Sequence, residues 1–420
     1  MLDPNETQLY TTKVSILTIP RDEFWLFKSG VLQIIYRLAD HYEGGGNGGL
    51  GGDSRYDTDL SASSDNEASA NDGSAVNGNS LGGAIRDSTG GGSFSGSIDN
   101  SLTGSIDNSL QGYSDIEGIE VGDDGLFFHL AFTVEEVTLM CSSKIIKKYL
   151  GKTLKFCKEH LQEEKQPTLL EDKFLVLQVF SDGLNIGKKI LELTEPLSLC
   201  GISLFFISNF FSDIVLVPVK EKQKVLEVLK GMEGEKMGQP KQMKVEENFS
   251  APASPLTDLE TTTFDLFKSK LIKPKLIGDV KLLLTGARSG DCANVLKRTA
   301  EALSRLNTGR EDDTYDFPSY FAITRTSTGE IGLMLPQEDE ELAKLNYDKS
   351  TIMGSLQDSY YPVFINLSNL PLDLKGIVAG VASKLLKSGL NEMSYLSFGK
   401  SGVVLIPDNY YDRVEEVLKE

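Results

Sequence analysis

The chain has 420 residues, which at roughly 100–200 residues per domain allows two to four compact units. Its composition, with 40% hydrophobic and 25% charged residues, is that of a globular protein that can build a sizeable core. A formal net charge of -19 and the lack of a basic stripe exclude a surface designed to neutralise nucleic-acid phosphates.

The sequence predicts a cytosolic protein without metal or cofactor. It shows no basic start followed by an apolar run and no stretch of roughly 18 apolar residues, so we expect no signal peptide and no membrane span. The four cysteines form no C-x-x-C pair, which argues against a zinc site and a disulfide framework and favours reduced, structural thiols. These cysteines are Cys141, Cys157, Cys200 and Cys292.

Two segments interrupt the apolar pattern. Residues 44–125 hold 20 of the 40 glycines, with 14 acidic residues and only two basic ones. Because so little apolar content cannot offset the entropy of ordering, we predict a disordered insert, with phosphorylation of its serines as the functional alternative. Residues 233–263, rich in Pro, Lys and small polar residues, are interpreted as an interdomain linker.

The two halves of the chain repeat one another. Residues 174–230 align with residues 363–419 at a constant offset of 189 without a gap, and the alignment pairs Gly187 with Gly376. A shared frame that also keeps the order of predicted elements indicates duplication.

Each copy predicts a strand, a helix entered through a glycine, a hairpin and a closing helix, which is the order of a ferredoxin-like split βαβ unit. The strands are predicted at 174–180 and 363–368, the helices at 186–199 and 374–387, and the hairpins at 202–208 with 213–218 and 391–398 with 401–407. The other two quarters follow the same order. The predicted fold class is therefore α+β, with four ferredoxin-like units arranged as two pairs. Their bounds are 12–150 (including the insert), 172–232, 278–345 and 359–420.

No catalytic constellation is visible. The three histidines, His41, His129 and His160, belong to no H-E-x-x-H, G-x-S-x-G or H-x-E…C-x-x-C pattern, and His129 lies in an apolar strand as a structural histidine would. The turn at 285–291 lacks the lysine and glycines of a phosphate loop and is interpreted as an ordinary strand-to-helix turn. We therefore expect a protein that is not an enzyme.

Two features of the sequence favour a protein that binds a ligand or a partner. A helix entered through glycine leaves unpaired backbone N–H groups, which suit the carboxylate of a free amino acid, although a glycine before any helix does the same. Phe210 and Phe211 fall in a hairpin turn, where exposed aromatic rings suggest a partner surface. Packing of these rings against a neighbouring unit is the equal alternative.

Several stretches carry a resemblance to a known family. The four paired units, FFHLAFTVEEVTLM (127–140), SNFFSDIVLVP (208–218) and the stretch from KGIVAGVA to residue 407 resemble the CASTOR family of cytosolic arginine sensors. The resemblance covers nearly all of the chain outside the insert. It implies four ACT domains of βαββαβ order.

The resemblance also implies a ligand site between the second and fourth domains, which holds arginine by backbone groups. The family places an aspartate near the start of the last strand to pair with the guanidinium, and the aligned residue here is Gly402. Because a buried guanidinium without a carboxylate is costly, a neutral or acidic amino acid is the alternative ligand. The implied ligand-binding residues are Ser203, Leu204, Gly376, Ile377, Val378 and Gly402.

For partners, the resemblance implies a GATOR-type complex upstream of the target-of-rapamycin kinase, bound through the turn that contains Phe210, Phe211 and Asp213. The family commonly forms homodimers. We thus predict a non-enzymatic, amino-acid-binding regulatory or sensor protein that acts through ligand-dependent protein interaction. The alternative is an adaptor that keeps the ACT fold and has lost the ligand.

Overall fold

The computed structural model describes residues 7–44, 126–180, 186–235, 256–306, 317–347, 349–371 and 374–419. The predicted disordered insert, apart from Gly44 at its edge, lies outside these residues, as does 236–255 of the predicted linker. Within the described residues the fold mixes helices and strands, and the order β-α-β-β-α occurs four times.

The first unit contains the complete order β-α-β-β-α-β. Its elements are β1 (Thr7–Pro20), α1 (Phe24–Gly44), β2 (Phe128–Phe132), β3 (Glu136–Ser142), α2 (Ser143–His160) and β4 (Thr168–Leu169). The fourth strand pairs with the first, so that the strand order across the unit is β4-β1-β3-β2.

The second unit confirms the predicted bounds of its first strand and first helix. Its elements are β5 (Phe174–Phe180), α3 (Ile186–Leu199), β6 (Phe205–Ser208), β7 (Ser212–Pro218) and α4 (Lys222–Glu235). A further helix, α5 (Leu256–Ser269), and a short strand, β8 (Lys275–Leu276), follow before the third unit.

The second half repeats the pattern. The third unit comprises β9 (Leu282–Ala287), α6 (Cys292–Ser304), β10 (Phe321–Arg325), β11 (Ile331–Pro336), α7 (Asp339–Leu345) and β12 (Ile352–Met353). The fourth unit comprises β13 (Tyr360–Asn366), α8 (Ile377–Lys387), β14 (Ser394–Ser397), β15 (Ser401–Pro407) and α9 (Tyr411–Lys419).

The described strands form one network of antiparallel pairs, in the order β12-β9-β11-β10-β2-β3-β1-β5-β7-β6-β14-β15-β13-β8. The first and third units join through β2 and β10, and the second and fourth through β6 and β14. Segments that precede a unit complete the sheet of another: the start of β1 pairs with β5, and β8 pairs with β13. The sheet of a unit therefore includes strands that lie outside that unit in the sequence.

Both faces of the sheet are buried. One face packs against helices in two hydrophobic cores. The first core contains α1 and α6, and the second contains α3 and α8. On the other face, Leu396 and Val403 of the fourth unit pack with Ala131 and Met334 of the first and third, although these strands are distant in strand order. The sheet therefore folds back on itself, with helices outside and apolar side chains between its layers.

Several predicted boundaries are wrong in detail. The strands predicted at 202–208, 213–218 and 363–368 span Phe205–Ser208, Ser212–Pro218 and Tyr360–Asn366. Residues 256–263 of the predicted linker are helical, because α5 buries Thr263 and Phe267 against the fourth unit. Helix α8 begins at Ile377 and not at residue 374, because Gly376 takes a left-handed conformation (φ 83°) that ends the preceding loop. Strand β14 spans Ser394–Ser397 only, which shortens the prediction of 391–398 at both ends.

Candidate functional site

The predicted ligand site lies at the first turn of α8. Gly376 is the N-cap, and its positive φ suits glycine because that residue has no Cβ to crowd the backbone. Its carbonyl accepts the first helical hydrogen bond from the Gly380 N–H at 2.8 Å. The N–H groups of the following residues have no partner within a helix at this position, which makes the turn an electropositive end that favours a carboxylate.

A cleft of about 60 Å³ opens between this turn and the hairpin strands of the second and fourth units. Three predicted ligand-binding residues line it, namely Leu204, Ile377 and Val378. Ser203 lies half-buried just before β6, and Gly376 and Gly402 are buried beside the cleft without lining it. Further lining residues are Phe205, Leu367, Leu370, Pro371, Leu374, Tyr395, Ser397, Phe398, Gly399 and Ser401.

Tyr395 is the polar group of this cleft that sequence reasoning missed. Its side chain is 2% exposed, burial raises the pKa of its phenol, and no described residue forms a hydrogen bond with its hydroxyl group. A Cβ at residue 402 would overlap that hydroxyl group, so the tyrosine occupies the space beside Gly402. The sequence signal was only a tyrosine within a predicted strand.

Helix α5 covers the outside of the α8 turn. The Thr263 hydroxyl donates to the Gly376 carbonyl at 3.3 Å, and the Glu260 carboxylate accepts from Ser383 at 3.0 Å and pairs with Lys387 at 2.7 Å. A methyl group on Gly376 would lie 3.2 Å from Leu259. The signal that could have revealed this helix is a proline at 255 followed by apolar residues at helical spacing.

The inner side of the cleft is tied to the first unit. The Glu136 carboxylate of β3 accepts the Lys400 N–H at 3.1 Å and the Ser401 hydroxyl at 2.5 Å, and the Gly399 N–H donates to the Thr138 hydroxyl at 3.0 Å. Burial raises the pKa of Glu136, and these hydrogen bonds partly oppose that shift. Gly399 and Ser401 line the cleft, so a ligand there would contact residues that form hydrogen bonds with Thr138 and Glu136 of the first unit.

The predicted partner-binding turn packs within the chain. A methyl group on Gly286 would lie 2.5 Å from the Phe211 ring, and one on Gly354 would lie 2.8 Å from the Phe210 ring, so both rings rest on glycines of the third unit. Phe210 remains 37% exposed, whereas Asp213 is 6% exposed. The structure therefore shows the packing alternative for these rings, and their binding of a partner stays a prediction.

His129 has the surroundings of a structural histidine. His129 is fully buried, its Nδ1 lies 2.8 Å from the Thr324 hydroxyl, and burial lowers its pKa to about 3. Among the described residues, no group of three or more His, Cys, Asp or Glu side chains could hold a metal ion. None of the described helices combines the length and apolar character that crossing a membrane requires.

Comparison with known proteins identifies one domain. Residues 169–231, which correspond to the second unit, match the ACT domain, and no curated protein matches the sequence significantly. Among solved structures, aspartate kinase from Synechocystis is similar with a TM-score of 0.24 and 9% identity, over 70% of this chain and 49% of the kinase chain. The chain thus spans about half the length of that kinase. ACT domains are generally regulatory modules that bind small amino acids and often dimerise, and one is present here.

Proposed function

We propose that this chain is a non-enzymatic regulatory protein that binds a free amino acid in the cleft at the α8 turn. The observation that carries the proposal is the cleft itself, which brings the first turn of α8 together with the Tyr395 side chain. An electropositive helix end beside a phenol group favours a small polar ligand that carries a carboxylate.

The lining favours a small neutral amino acid over arginine. The α-carboxylate would accept backbone N–H groups of Ile377 and Val378, and Tyr395 would supply a hydrogen bond to a polar group of the ligand. Among the described residues that line the cleft, none is acidic, so a guanidinium would have no charged partner there. Leu204 and Leu370 provide apolar walls for a short side chain.

The resemblance to CASTOR-type sensors extends this proposal. In it, the four β-α-β-β-α units are four ACT domains, and the protein is a cytosolic nutrient sensor that signals to the target-of-rapamycin kinase through a GATOR-type complex. The protein forms a homodimer in this view. The contacts of Glu136 with Lys400 and Ser401 support coupling between the cleft and the first unit. A ligand that favours one arrangement of these contacts would shift partner affinity by a coupling free energy of about 1–3 kcal/mol.

An adaptor without a ligand is the second candidate, and the size of the cleft favours it. Its volume of about 60 Å³ is well below the roughly 150 Å³ of a protein cavity that accommodates benzene. The Tyr395 side chain occupies the space beside Gly402, which a ligand would otherwise use. In this view the fold serves only to present surfaces to partners.

A thermal-shift screen against the twenty amino acids at millimolar concentration separates these candidates, since a ligand stabilises the native state by RT ln(1 + [L]/Kd). The proposal expects a selective increase in Tm with one small amino acid. Tyr395→Phe should weaken that binding about tenfold, because one hydrogen bond contributes about 1–1.5 kcal/mol. Tyr36→Phe, at an exposed tyrosine of α1, is the matched control. No shift with any amino acid, in a folded sample, would favour the adaptor.

A further inference from the structure

A second and larger cavity, of about 200 Å³, lies at the hairpin turn of the second unit. Its walls are mainly polar on one side, with the hydroxyl groups of Ser208 and Ser212 beside the carboxyl group of Asp213. The Phe210 ring and Asp358, an exposed residue, also line it. This volume exceeds the roughly 150 Å³ that accommodates benzene, so a small organic molecule fits.

The duplication relates this cavity to the α8 cleft. Ser208 and Ser212 line the larger cavity, and their counterparts at the offset of 189, Ser397 and Ser401, line the cleft. The two hollows are therefore corresponding places in the second and fourth units. Among the positions at which they differ is 213, because Asp213 of the larger cavity corresponds to Gly402, which is buried beside the cleft.

Asp213 is a buried acid that forms no ion pair with the described residues. It is 6% exposed, it accepts a hydrogen bond from Ser208, and no described residue forms an ion pair with it. The nearest positive influence is Lys189 of α3, whose charge only partly opposes the effect of burial on the carboxyl group. An ionised carboxylate in such a place is unfavourable unless a positive group comes close to it.

We infer that this cavity is a second ligand site, which binds a small organic cation with N–H donors, such as a primary amine or a guanidine, through the carboxylate of Asp213. The ammonium or guanidinium group donates to the Asp213 carboxylate and to neighbouring serine hydroxyls. The exposed carboxylate of Asp358 attracts cations to the same cavity, and the Phe210 ring can contact the cation through its face. The site does not depend on the α8 cleft or on its ligand.

The test is calorimetric titration of the full chain at pH 8 with two probe cations, n-butylammonium and methylguanidinium. Their neutral analogues, 1-butanol and methylurea, are the matched ligand controls. We expect at least one cation to bind with 1:1 stoichiometry and its neutral analogue not to bind. Asp213→Asn, which keeps the shape of the side chain, should weaken cation binding at least tenfold. Tyr36→Phe, at an exposed tyrosine of α1, should leave it unchanged.

A second variant keeps the test decisive if Asp213→Asn fails to fold. Ser355 is exposed at the rim of the cavity, so Ser355→Trp should fill the entrance without disturbing the core and should abolish cation binding. The inference is overturned if neither cation binds the folded wild-type chain, or if cations bind the Asp213→Asn or Ser355→Trp chain as tightly as wild type. Cation binding with no response to amino acids would leave this site intact while refuting the proposed function of the α8 cleft.

Discussion

The hydroxyl group of Tyr395 occupies the space that a side chain at Gly402 would require. Tyr395 lies on β14 and Gly402 on β15, two residue pairs apart in an antiparallel hairpin, and both are buried. A glycine at 402 and a tyrosine at 395 are thus complementary in volume. The position equivalent to Gly402 is Asp213 in the second unit. In the fourth unit, the Tyr395 side chain fills the space beside that position.

The complementarity predicts the effect of a methyl group. Gly402→Ala should lower the free energy of unfolding by about 1–3 kcal/mol, because overpacking a well-packed core forces strain on its neighbours. Tyr395→Phe removes the overlapping hydroxyl group, so Gly402→Ala should cost less in that background. A double-mutant cycle by urea denaturation measures the coupling. Strict additivity would show that Tyr395 and residue 402 do not compete for space.

The contact between the second and third units predicts a similar result at Gly286. Gly286→Ala should destabilise the fold by about 1–3 kcal/mol, since the new methyl group would lie 2.5 Å from the Phe211 ring. Gly151→Ala in α2 is the control, because nothing lies within 4 Å of its Cβ position. That control should gain about 0.5–1 kcal/mol from helix propensity. Equal effects at both glycines, measured by urea denaturation, would contradict the packing of the Phe211 ring.

Asp213 predicts a pH dependence of stability. Burial raises its pKa to about 7 from 3.8, although the Ser208 hydrogen bond and the Lys189 charge oppose the shift. Because the folded-state pKa lies above the unfolded value, protonated Asp213 contributes fully to stability below pH 3.8. That contribution to stability declines as pH rises and is lost above about pH 7. Tyr360 lines the same cavity, and burial raises the pKa of its phenol above 10, so this group does not titrate in the same range.

Asp213→Asn should remove this dependence because the amide does not titrate. The stability of the variant relative to wild type should increase between about pH 4 and pH 7, by up to about 1.4 kcal/mol per pH unit, and then level off. Urea denaturation at a series of pH values measures the difference. Asp412→Asn, at an exposed aspartate of α9, is the control substitution. A relative stability that falls with pH would contradict the burial of Asp213.

The link between the first and fourth units predicts a cost for Glu136→Gln. The amide is uncharged and has one acceptor oxygen in place of two, so the Lys400 N–H and the Ser401 hydroxyl lose the charged acceptor that they share. We expect a loss of about 1–3 kcal/mol and faster hydrogen exchange at the Lys400 amide. Glu159→Gln, at an exposed glutamate of α2, should have little effect on either measurement. Unchanged exchange at Lys400 would show that this link is weak.

Local pattern predicted much of the second and fourth units. Helix α3, strand β5 and strand β15 have the predicted bounds because continuous apolar runs and helical spacing, bounded by turn residues, specify buried strands and one-sided helices. The offset of 189 between the repeated halves also correctly relates the two hairpins. These features depend on residues that are close together in sequence.

By itself, then, the sequence determined the order of elements, the duplication and the elements that surround the candidate site. Only the tertiary structure decided that α5 covers the α8 turn, that Tyr395 occupies the space beside Gly402, and that Asp213 lines a cavity and forms no ion pair with the described residues. Periodicity reports which face of an element is buried. It does not report which element meets that face. The contact between α5 and α8 joins residues 113 positions apart, and the contact between Tyr395 and Gly402 depends on side-chain volume.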